Sequence, residues 1–181
     1  MFNAVAIRPV LQLTHFARLI QRFCLRVLLP LSIIFTVSTV NAIEVGDTLN
    51  IDNLKTIDGQ TITKKSLAGK YVVVEIFATW CPYCHRQNLN LVELVKRLEG
   101  LPMQVIALSI DRKPDAVPPY VKKHGLNFPV AMMTPELEKA IGKRQGIPEL
   151  YVVDPQGKVV QKDYGEMIDL DVWDLINYVK K

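Results

Sequence analysis

Cys81 and Cys84, three apart within Trp80-Cys81-Pro82-Tyr83-Cys84, are the residues of this chain best placed to do chemistry. They follow an apolar run, Tyr71-Val72-Val73-Val74-Glu75-Ile76-Phe77, that reads as a buried strand. They open a segment, residues 82–98, with helical periodicity. A C-x-x-C pair at a strand-to-helix junction points to thiol–disulfide exchange. Cysteines at this spacing share a helix face and can close a disulfide without backbone movement. Cys81 falls at the helix N-terminus, where unpaired N–H groups and the helix dipole favour an anion. Its pKa is expected below the free-thiol value of about 8.5, in the roughly 3.5–7.5 range of such sites. Cys84, one turn in, is expected to be more buried and less acidic. Cys81 is therefore the expected attacking thiolate and Cys84 the resolving thiol. Pro82, with no N–H to leave unpaired, suits the first helical turn.

The alternative for this pair is half of a zinc site, which needs two further ligands. Beyond the N-terminal segment only His85 and His124 are of suitable softness, and His85 would point away from its neighbour's thiolate. No metal site is expected. Glu75 is the second candidate. A carboxylate between Val74 and Ile76 is expensive to bury as an anion, so its pKa is expected to rise. An acid in that state, near a nucleophile, can take the proton from Cys84 as that thiol attacks; an edge-strand or solvent-facing glutamate is the alternative. Far downstream, Ile147-Pro148 precedes an apolar run, and a trans turn is the default for that bond. Trp80 and Tyr83 flank the dithiol and read as an apolar contact surface for partner proteins, with core packing the competing use of Trp80. His85 reads as a solvated helix residue, and Met132-Met133 as core or groove lining rather than copper ligands.

The elements that must position these residues follow from periodicity and turn chemistry. Thr56-Ile57-Asp58-Gly59-Gln60-Thr61 reads as a hairpin turn. The helix from Pro82 puts Leu91, Leu94, Val95 and Leu98 on one face and stops at Gly100. Residues 103–110 form a second buried strand, giving a βαβ unit with parallel strands. Pro114, Pro118 and Pro119 restrict the next helix to residues 119–124, ended by Gly125. Thr134 caps another, with Pro135 in its first turn. Residues 150–153 and 158–161 flank Asp154-Pro155-Gln156-Gly157 as a second hairpin. Asp169 or Asp171 caps a closing helix with Val172, Leu175, Ile176 and Val179 inward. The order implies an α/β domain with helices covering a central sheet.

Residues 1–42 read as a signal peptide. Arg8, Arg18, Arg22 and Arg26 precede an apolar stretch over residues 27–40, and Val40-Asn41-Ala42 suits cleavage after Ala42. The stretch is short of the roughly 20 residues of a membrane-spanning helix, and an uncleaved N-terminal anchor is the alternative. Cys24 lies before the apolar core and is expected to be discarded. The chain has 22 basic and 18 acidic side chains. With those four arginines removed, residues 43–181 carry 18 of each, which offers nothing to nucleic acid or an anionic membrane. Those residues suffice for one domain with one core, whose only cysteines are Cys81 and Cys84.

Three pieces together resemble the thioredoxin superfamily, in its exported TlpA/ResA/DsbE-like branch. They are Val-Glu-Ile-Phe-Ala-Thr-Trp-Cys-Pro-Tyr-Cys, then Ile106-Ala107-Leu108-Ser109-Ile110-Asp111, and Gly146-Ile147-Pro148 leading into Val152-Val153-Asp154. The resemblance covers roughly residues 44–181. It implies a thioredoxin-like domain over 43–181, with a central mixed β-sheet flanked by helices and an N-terminal β-hairpin extension. It implies that Pro148 is the family's cis-proline, facing the dithiol across the substrate groove, and that Ile147 offers its backbone to a substrate. Trp80, Pro82 and Tyr83 complete that substrate-binding surface, and Glu75 matches the buried acid of many thioredoxins. Pro-Tyr between the cysteines departs from the family's commoner small or polar pair. The expected protein is a periplasmic thiol–disulfide oxidoreductase, a monomer without cofactor, reducing specific protein disulfides in cytochrome c maturation or copper-site assembly. A membrane-bound electron donor would re-reduce it. A disulfide-forming oxidant of the same fold is one alternative, and a copper-binding chaperone using both thiolates is another.

Overall fold

Seven consecutive residues with no helix-favouring pattern, Tyr71–Phe77, form the strand at the centre of the main sheet. The computed structural model describes residues 42–180. The export-signal reading of residues 1–42 lies outside the described residues, Ala42 excepted. In chain order the elements are β1 (Leu54–Lys55), β2 (Thr61–Ile62), β3 (Tyr71–Phe77), α1 (Pro82–Arg97), β4 (Met103–Ser109), α2 (Val117–His124), β5 (Val130–Met132), α3 (Pro135–Ile141), β6 (Glu149–Val153), β7 (Val159–Tyr164) and α4 (Asp169–Asp174). The main sheet runs β5-β4-β3-β6-β7, with β1 and β2 paired as a separate hairpin. β3 pairs parallel with β4 and antiparallel with β6, so the sheet is mixed. This is the thioredoxin-like architecture, hairpin extension included.

Alternation along the strands divides the core into two layers. Val72, Val74 and Ile76 face one side, with Tyr151, Leu108, Leu49, Leu54 and Ile141, under residues 43–54 and α3. Val73 and Phe77 face the other, with Cys81, Cys84, Leu91, Leu94, Val117 and Val172, under α1, α2 and α4. Glu75 shares that second parity, so the strand aims it at the layer beneath α1.

Four elements differ from expectation. α2 begins at Val117 rather than Pro119, because prolines are tolerated in a first turn, where N–H groups lack helical partners anyway. It ends as expected, at Gly125 with φ 62°. β5 was not expected; three residues after Pro129 are too few to show a period. β7 extends to Tyr164 because its pairing with β6 continues to Glu149. Neither Asp169 nor Asp171 caps α4. The cap position is Ile168, with no side-chain bond, and the Asp169 carboxylate accepts the adjacent Leu170 N–H at 2.9 Å. The Thr134 cap forms, its hydroxyl accepting the Leu137 N–H at 3.2 Å.

Candidate active site

The dithiol sits where β3 hands over to α1. Cys81 is the N-cap of α1, Pro82 occupies the first turn, and the Cys84 N–H donates to Cys81 Sγ at 3.2 Å. The two cysteines are disulfide-bonded, with Cα atoms 5.3 Å apart. Cys84 is fully enclosed and Cys81 almost so, at 4% exposure. The expected inequality of position is therefore present, one sulfur at the helix mouth and one beneath it.

The turn that delivers Cys81 is tied from the neighbouring strand. Asp111, just past β4, accepts the Thr79 N–H at 2.9 Å and the Thr79 hydroxyl at 2.6 Å. Ser109 donates to the same carboxylate at 2.7 Å, and the Ile110 N–H closes onto the Phe77 carbonyl at 2.9 Å. Three donors satisfy this nearly buried carboxylate, which clamps the two strand ends together.

The downstream dipeptide arrives from β6. The Ile147–Pro148 bond is cis, where sequence alone defaults to trans. The Ile147 carbonyl oxygen lies 3.8 Å from Cys81 Sγ, and Pro148 is buried behind it. The Gly165 N–H donates to the Pro148 carbonyl at 2.9 Å, bringing residues 165–167 alongside. Glu166 of that loop takes a two-point ion pair from Arg86 on α1, whose Nε donates to Oε1 at 2.7 Å. The Arg86 guanidinium lies 4.9 Å from the centre of the Tyr83 ring. Tyr83 is 55% exposed and Trp80 68%, so Trp80 does not serve the core; both rings are open to solvent beside the dithiol.

On the side of β3 that faces α1, Glu75 is fully buried, and neither carboxyl oxygen has a hydrogen-bond partner. Burial pushes this carboxyl well above the usual carboxylate range, with the Gln87 side chain acting in the opposite direction. The solvent-facing alternative for Glu75 is thereby excluded. His85 is not a freely solvated helix residue either. It is half-buried, with its ring 4.0 Å from that of His124, which itself lies 4.5 Å from the Tyr120 ring. Burial, then His85 and Lys123, hold His124 below the usual imidazole range. Among the described residues no group of three or more His, Cys, Asp or Glu side chains is arranged to hold a metal ion. Among the same residues no helix is long and apolar enough to cross a membrane.

With that geometry in view, residues 45–162 match the AhpC/TSA family. The chain belongs to that family. Thiol-disulfide oxidoreductase ResA of Bacillus subtilis is 26% identical over 127 residues, covering 70% of this chain and 71% of that protein. The Bacillus cereus ResA is 34% identical over 112 residues, covering 61% of this chain and 64% of its relative. A thiol:disulfide interchange protein of the thioredoxin family from Chlorobium tepidum superposes with a TM-score of 0.68 at 28% identity. That match spans 76% of this chain and 99% of the other. A secreted disulfide oxidoreductase from Mycobacterium tuberculosis, homologous to DsbE, shares the fold with a TM-score of 0.59 at 17% identity, over 70% and 94% of the two chains. Family, fold and the C-x-x-C pair agree: this is a thiol–disulfide oxidoreductase of the ResA/DsbE type.

The structure brings Cys81, Cys84, Pro82, Ile147 and Pro148 together, leaves Trp80 and Tyr83 exposed at the rim, and sets Glu75 in the layer below. Sequence reasoning missed the Asp111 clamp, the Arg86–Glu166 pair and the buried Gln87. Asp111 had a readable signal, a lone acid ending an apolar strand. The other two join residues 80 positions apart and had none.

Proposed function

We propose that this oxidoreductase works in the periplasm as a reductant of specific protein disulfides. The observation that carries the reading is the approach of Ile147–Pro148 to Cys81 at the mouth of α1, flanked by exposed Trp80 and Tyr83. A substrate segment lying across Pro148 would have its disulfide beside Cys81. The Cys81 thiolate attacks one substrate sulfur, forming a mixed disulfide and expelling the other as thiolate. Cys84 then gives its proton to ionised Glu75, and its sulfur attacks Cys81. The second substrate thiolate leaves, and the Cys81–Cys84 disulfide remains. The substrate has gained two electrons and the pair has lost two, which a membrane-bound dithiol donor would restore. The substrate classes that fit are disulfides of apocytochrome c and of copper-site cysteine pairs, with the enzyme acting as a monomer after removal, or retention as an anchor, of residues 1–42.

The Cys84 N–H bonded to Cys81 Sγ, at a helix N-terminus, favours the thiolate and hence supports the oxidant as second reading. The deciding experiment is the equilibrium reduction potential of the pair in glutathione or dithiothreitol buffers. A value near about −270 mV makes the protein a reductant, and one near about −120 mV makes it an oxidant.

A further inference from the structure

Gln87 lies one turn beyond Cys84 on α1, fully buried, and takes part in none of the steps above. Its Oε1 accepts the backbone N–H of Met167 at 2.9 Å. A backbone N–H can only donate, so this bond dictates which end of the amide is which. The NH2 end is thereby turned away from Met167, and Nε2 is buried with no acceptor bonded to it. Both oxygens of Glu75 are buried without a bonded donor. An unused donor and two unused acceptors thus occupy the layer between α1 and β3, Gln87 on the buried face of the helix and Glu75 on the strand beneath it. Met167 belongs to the loop whose Gly165 holds the Pro148 carbonyl and whose Glu166 pairs with Arg86.

We propose that Gln87 is a positioning residue, held by the Met167 N–H so that its amide donor serves the ionised Glu75 carboxylate during resolution. The inference rests on the reading of Glu75 as proton acceptor for Cys84. A donor at this position favours the carboxylate over the neutral acid, so the base is present at lower pH than burial alone would permit. It also joins the acid to the loop beside Pro148, the surface on which a substrate would seat.

Reduced protein mixed with 5,5′-dithiobis(2-nitrobenzoate) separates the two chemical steps. The first thionitrobenzoate released reports attack by Cys81, and the second reports resolution by Cys84. Gln87→Glu keeps an oxygen for the Met167 N–H but replaces the permanent amide donor with a titratable acid, whereas Gln87→Leu removes both. In both variants the pH midpoint of the second step is expected to move up by about one unit, making resolution about tenfold slower below it, while the first step is unchanged. Glu75→Gln should abolish that pH-dependent limb. A wild-type midpoint in Gln87→Glu, with altered thermal stability only in Gln87→Leu, would make Gln87 a loop anchor and overturn the proposal. A wild-type pH profile in Glu75→Gln would remove the reading of Glu75 itself, and the role of Gln87 with it.

Discussion

Glu75 and Glu149 stand one register step apart on adjacent strands, β3 and β6, yet face opposite layers of the sheet. Both are almost wholly buried. Around Glu149 are the Tyr151 hydroxyl and two cations, Lys162 and Arg144; burial raises its carboxyl, and those neighbours pull it back. Lys162 is fastened there by the Ile43 carbonyl at 2.6 Å and Glu44 at 3.0 Å. Although burial works against its charge, Tyr164, whose ring centre lies 4.7 Å away, and Glu44 hold its ammonium above the usual range. Glu75 has no such company, only the amide of Gln87, and is raised further. A buried acid with cations around it can keep its charge and serve the fold. One without them is left able to gain and lose a proton, which is what an exchange site needs. Asp111 is a third case, a carboxylate saturated by Thr79 and Ser109 and committed to holding the turn.

The sharpest test of the chemistry beneath α1 is the dithiol itself. Cys84→Ser should abolish turnover and accumulate mixed disulfides through Cys81, seen as partner adducts on non-reducing gels. Trapping only through Cys84 alone, in Cys81→Ser, would reverse the order of attack. Next in size, Glu75→Gln should slow resolution by about a hundredfold, within the range of general base catalysis. Glu149→Gln should leave single-turnover rates near wild type; equal losses in the two variants would erase the contrast between the faces. Pro148→Thr, behind the Ile147 carbonyl that approaches Cys81, should prolong mixed disulfides severalfold without changing attack, measured by release kinetics.

Stability separates the acids further. Folded, Glu75 keeps its proton at pH values where the unfolded chain has lost it, so stability falls as pH rises above the unfolded value near 4.5. Glu75→Gln should therefore raise Tm at neutral pH, with the gain shrinking to nothing as pH falls to that value. Glu149→Gln should gain less, because Lys162 and Arg144 already hold part of its charge. Smallest in effect on chemistry, Asp111→Ala should cost about 1–3 kcal/mol in denaturant unfolding by stranding the Thr79 donors. No loss there would mean the clamp is dispensable.

What could be read from the chain alone was local. A short apolar, β-branched run marked β3, the cysteine spacing and Pro82 marked the start of α1, and Thr134-Pro135 marked α3, since each depends on neighbours within a turn or a strand. The dithiol chemistry and the division of labour between Cys81 and Cys84 came from the same short range. So did the expectation that Glu75 would be raised, because its strand neighbours are apolar. Where the local signal was thin, as in the three residues of β5 or the proline-rich start of α2, the reading failed. Tertiary structure alone decided which polar groups meet. Only folding brings Ile147 to Cys81, Met167 to Gln87 and Asp111 to Thr79, or gives Glu149 its cations while denying them to Glu75. Those pairings join segments that sequence periodicity treats independently, and they are selected by how the layers pack on the sheet rather than by any spacing along the chain.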